Sequence, residues 1–79
     1  MVTAETITDE QIRDERLRCQ VRFERGVDTY SNRFIHSLCV KASPSHMALS
    51  MLSGEDHAEV MRARGAIAEI INGRATEEP

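Results

Sequence analysis

Apolar residues recur at helical spacing from Ile12 to Leu38, and no part of the chain alternates apolar and polar residues as a strand does. Ile12, Cys19, Phe23, Val27, Tyr30, Phe34 and Leu38 fall within one stripe about 100° wide on a helical wheel. A start signal precedes the stripe. Thr8-Asp9-Glu10-Gln11 has the form of a capping box, Ile7 and Ile12 occupy the two staple positions, and Asp9 and Glu10 bring negative charge to the positive end of the helix dipole. The phase of the stripe does not shift at Gly26. The pattern therefore predicts one helix over about 9–41, although a glycine inside a helix costs about 1 kcal/mol and a break at Arg25-Gly26 is the alternative. Lys41-Ala42-Ser43-Pro44 supplies the stop, because the residue before proline is pushed out of the helical region.

Ser43 is then placed to cap a short second helix over 44–52, with Pro44 at its first position and Met47, Leu49, Met51 and Leu52 along it. Ser53-Gly54-Glu55-Asp56 reads as another capping box, opening a third helix over 54–72 that Gly73 ends. The polar stretch 74–79 is expected to be a frayed tail. The expectation is an all-α chain, a single domain over 1–79, in which a long, a short and a long helix form a helical hairpin.

A chain of 79 residues buries a modest share of its surface and usually adds disulfides, a metal or a partner subunit to its core. Cys19 and Cys39 would lie roughly 30 Å apart along an unbroken helix, too far for a disulfide. His36, Cys39, His46 and His57 match no zinc-binding spacing, and Cys39 phases with apolar positions. That leaves a partner. Both long helices carry two apolar seams: Leu17, Val21, Ile35 and Cys39 lie away from the main stripe of the first. Val60, Ala63, Ile67, Ile70 and Ile71 form one seam of the last helix, and Ala58, Met61, Gly65, Ala68 and Asn72 form another with small residues. Two seams on each helix call for two neighbours, so Ala58, Met61, Gly65 and Ala68 are the expected self-association contacts, completing a four-helix-type bundle in a homodimer or larger ring. A compact three-helix monomer, with the short helix folded over the second seam, is the competing arrangement.

Scattered glycines form no phosphate-cradling loop, paired acids stand at helix starts where capping accounts for them, and no nucleophile has a surrounding signature. The chain reads as non-enzymatic, without cofactor, metal or small-molecule substrate. It has no basic leader followed by an apolar run and no segment of about 20 apolar residues, so a cytoplasmic protein without a membrane partner is expected. Net charge is -3, but residues 1–41 hold seven of the ten basic residues. Arg18, Arg22, Arg25 and Arg33 fall within about 80° of one another on the wheel of a continuous helix, a row suited to an acidic protein or to phosphates. Met47 and Met51 are the second candidate surface, since methionines adapt to varied partners.

The stretch Glu59-Val60-Met61-Arg62-Ala63-Arg64-Gly65-Ala66-Ile67-Ala68-Glu69-Ile70-Ile71 resembles the closing helix of short uncharacterised proteins of tailed bacteriophages, through an Arg-Gly followed by an apolar-spaced helix end. The resemblance covers about a sixth of the chain. It implies a context in which small proteins serve as virion accessory parts or alter a host protein, and it carries no functional residue across. The expected function is protein-protein interaction, as a self-associating inhibitor or regulator of a host protein. A virion assembly or connector component, and a nucleic-acid-binding regulator using the arginine row, are the alternatives.

Overall fold

The computed structural model describes residues 1–77, with side chains as far as Arg74. Its helices follow the cap chemistry of the chain. The Gln11 amide donates to the Thr8 hydroxyl (3.1 Å) and the Thr8 amide donates to the Gln11 side chain (2.9 Å), so the box closes and α1 runs Asp9–Glu24. Ile7 and Ile12 are both buried beneath it.

The continuous helix expected over 9–41 is not formed. Gly26 takes φ +84, the Val27 amide donates to the Arg22 carbonyl (2.8 Å) and the Gly26 amide donates to the Phe23 carbonyl (2.9 Å). This is a Schellman stop, which satisfies the carbonyls left over at the end of α1. Thr29 then accepts from the Asn32 amide and starts α2, Tyr30–Lys41. The chain reverses between them, and α1 and α2 pack as a hairpin. Reversal dissolves the long stripe: Ile12 and Cys19 stay inside, whereas Tyr30 and Phe34 turn outward, 84% and 53% exposed. Asn32 and Cys39 take the buried positions of α2.

Two further boundaries move. Ser43 donates to the Cys39 carbonyl and closes α2, while Ser45 caps α3, which spans only His46–Leu49 in place of the expected 44–52. The last helix, α4, begins at Gly54 with φ +59 and passes through Gly73 to Glu77, so 74–77 belong to the helix rather than to a frayed tail. Residues 78 and 79 lie outside the described residues. Among the described residues there is no strand, and the all-α expectation holds.

α4 packs against α2, and the residues between Ile7 and α4 close one core: Ile7, Ile12, Cys39, Ala42, Ala63, Ile67 and Ala68. Burying Ile7 and Ile67 completely contributes about 1.5–3 kcal/mol each. The segment before α1 belongs to this core. Its turn is held by the Ile7 amide donating to the Thr3 carbonyl (2.9 Å), and the Asn72 side chain exchanges two hydrogen bonds with the Val2 backbone, 3.0 and 2.8 Å.

Candidate functional site

Leu17, Val21, Arg18 and Arg22 recur at three- and four-residue intervals on α1 and share one face, which Arg25 extends as the C-cap. That face is a groove of about 420 Å³, with Asp14 at one end. Leu17 stands 58% exposed in it. The arginines keep their charge available to a partner. Arg18 lies 3.9 Å from Glu15, but the Glu15 carboxylate is already gripped by both terminal guanidinium nitrogens of Arg74. Arg22 and Arg25 enter none of the ion pairs among the described residues.

Arg33 does not belong to the row. Its place there required a continuous helix; in the hairpin it is bonded through Nε and Nη2 to Asp28 in the connecting turn. The Arg33 guanidinium holds the Asp28 carboxyl below its ordinary value, and Asp28 raises Arg33 in return. Met47 and Met51 are 80% and 83% exposed on and after α3, and neither lines the α1 groove.

The small-residue seam of α4 has a different neighbour from the one expected. A Cβ on Gly65 would stand 3.6 Å from the Ala4 Cβ, and Ala68 is 2% exposed inside the core. Ala58 and Met61 are half-buried. The chain's own first residues therefore cover the part of the seam around Gly65.

Two arginines outside every sequence expectation prove central. Arg64 is fully buried; Nη2 donates to Asp9 (2.9 Å) and to the Pro44 carbonyl, and Nη1 lies 3.2 Å from His46 Nδ1. Arg74 joins α4 to Glu15 of α1. Arg64 holds the Asp9 carboxyl below its ordinary range, and Arg74 does the same for Glu15 against the opposing effect of burial. A signal was present in the spacing, because Arg64 lies four residues after Val60 and three before Ile67, inside the apolar strip.

The remaining reactive groups are quiet. Cys19 and Cys39 are free and buried, and burial, with the Cys19 thiol as a smaller contributor, pushes Cys39 up to about 12. A thiol so placed stays protonated at neutral pH and is a poor nucleophile. Among the described residues no three His, Cys, Asp or Glu side chains converge on a metal position, and no helix is long and apolar enough to cross a membrane.

Fold and groove define a small all-helical protein with a cationic, partly apolar furrow on its first helix. No protein-family model, curated protein or solved structure matches the chain.

Proposed function

We propose that this protein works by binding another protein, as an inhibitor or regulator, and that the α1 groove is where the partner docks. The observation that carries the reading is the combination of three clustered arginines with exposed Leu17 in one furrow of a chain whose net charge is negative. Guanidinium groups there grip carboxylates in paired geometry, while Leu17 and Val21 offer apolar area at the floor. The occupant is an acidic amphipathic helix: acids at three- and four-residue spacing would meet Arg18, Arg22 and Arg25, and a flanking apolar side chain would meet Leu17.

The test is fluorescence anisotropy with a labelled acidic amphipathic peptide, run beside a scrambled peptide of equal charge and a single-stranded oligonucleotide. Saturable binding of the ordered peptide, lost in Arg22→Glu/Arg25→Glu with helical content unchanged, supports the groove. Equal binding of the scrambled peptide removes the apolar floor from the reading. Tighter binding of the oligonucleotide, with affinity falling steeply in salt, moves it to nucleic acid.

Self-association is a second reading, favoured by the pair Tyr30 and Phe34, which stack in parallel with ring centres 6.4 Å apart on the outer surface. Exposed aromatic pairs of this kind are common at interfaces. Light scattering that returns the monomer mass of 8.9 kDa across a wide concentration range ends this second reading. A larger mass that Phe34→Ser reduces upholds it.

A further inference from the structure

We propose that a second pocket, between the first half of α1 and the turn leading into α3, binds a phosphate group through Arg13, Arg16 and the Ser45 hydroxyl. It has a volume of about 240 Å³, is lined by Asp9, Ile12, Arg13, Arg16, Ser43 and Ser45, and is more enclosed than the groove described above. It opens on a different face of α1, because 9, 12, 13 and 16 lie roughly opposite 14, 18, 21 and 25 around the helix.

Charge selects the ligand. Arg13 and Arg16 stand one turn apart on the same side and enter none of the ion pairs among the described residues. Asp9 is the single acid in the lining, and its charge is already matched by Arg64, which donates to its Oδ1 at 2.9 Å. Two guanidinium charges therefore remain unbalanced around the pocket. Hydroxyl geometry narrows the choice further. Ser43 spends its O–H on the Cys39 carbonyl, so it only shapes the wall, whereas Ser45 accepts from the Ala48 amide and keeps its O–H to donate. Two planar forks and one hydroxyl donor suit a tetrahedral dianion with several acceptor oxygens better than a carboxylate, which carries one charge and two oxygens. A phosphate monoester and free inorganic phosphate share this chemistry.

Amide NMR titrations of the whole chain with inorganic phosphate, O-phosphoserine and acetate decide the matter. Saturable shifts centred on Arg13, Arg16 and Ser45 are expected for the first two, with acetate at least about tenfold weaker. Tighter O-phosphoserine identifies a phosphorylated group as the natural ligand, and tighter inorganic phosphate identifies the free ion. Arg16→Ala, an exposed position, should weaken phosphate by about tenfold or more, while Arg22→Ala in the other groove leaves it unchanged. Affinity for O-phosphoserine should also fall below about pH 6, where the dianion takes up a proton. Uniform, non-saturating shifts, equal affinity for acetate, or an Arg16→Ala titration that matches the parent would overturn the proposal.

Discussion

Arg64 occupies a position that an apolar side chain would fill in most helices, and its guanidinium is taken up by Asp9, the Pro44 carbonyl and His46. Among the described residues its Nε has no partner, and the residue is held there by its two outer nitrogens. A buried charge of this kind is costly to strand and inexpensive to replace as a pair. Arg64→Ala should destabilise by on the order of 3 kcal/mol, the lower end for breaking a buried pair because the Asp9 carboxylate is 39% exposed. Replacing both partners, Asp9→Asn with Arg64→Met, should recover most of that loss, since the volume is kept and no charge is left alone. Urea midpoints measure both, and a double variant no more stable than Arg64→Ala would contradict this account.

At the scale of elements, the starts of α1 and α4 and the stop after Lys41 were legible, whereas the start of α2 went unread and that of α3 was misplaced. Thr8 and Gln11 could be read as a box because both partners lie within four residues, and both hydrogen bonds form. Gly26 was harder, because the apolar phase runs through it without a shift, so the break at Arg25-Gly26 stood only as the alternative until the positive φ of Gly26 settled it. Local cues for a break were available in Gly26 followed three residues later by the capping Thr29. A Cβ added at Gly26 would meet nothing within 4 Å, so the cost of Gly26→Ala is conformational alone. It should lower stability by about 1–2 kcal/mol with an unchanged urea slope, and calorimetry or urea unfolding will show it. An unaffected midpoint would mean that the hairpin does not depend on the left-handed residue. The candidate groove survived the misplaced break because Arg18, Arg22 and Arg25 all precede Gly26, while Arg33 followed the chain into α2.

Across the whole molecule, two carboxylates of α1 tie the hairpin to α4: Asp9 through Arg64 and Glu15 through Arg74. Both are held below their ordinary values of 3.8 and 4.5. Their stabilisation is fully present above those values and is lost as pH falls through the lower folded values. Urea midpoints should therefore drop below about pH 4.5, and Glu15→Gln should be less stable at neutral pH with a flatter acid limb. A Glu15→Gln variant whose acid limb matched the parent would show that Arg74 does not lower Glu15. What the amino-acid sequence determined by itself is helical periodicity, the capping box of α1 and the three arginines of the row that precede Gly26, because each depends on residues within a turn or two of one another. What the tertiary structure decided is which face each seam meets and which partners the inward charges find. Those outcomes depend on contacts across the chain, such as Val2 with Asn72, Glu15 with Arg74 and Ala4 against Gly65, and no local spacing encodes them. The second apolar seam suggested a second molecule for the same reason: helical periodicity shows that a face must be covered, and only the packed chain shows that its own first residues cover the stretch around Gly65.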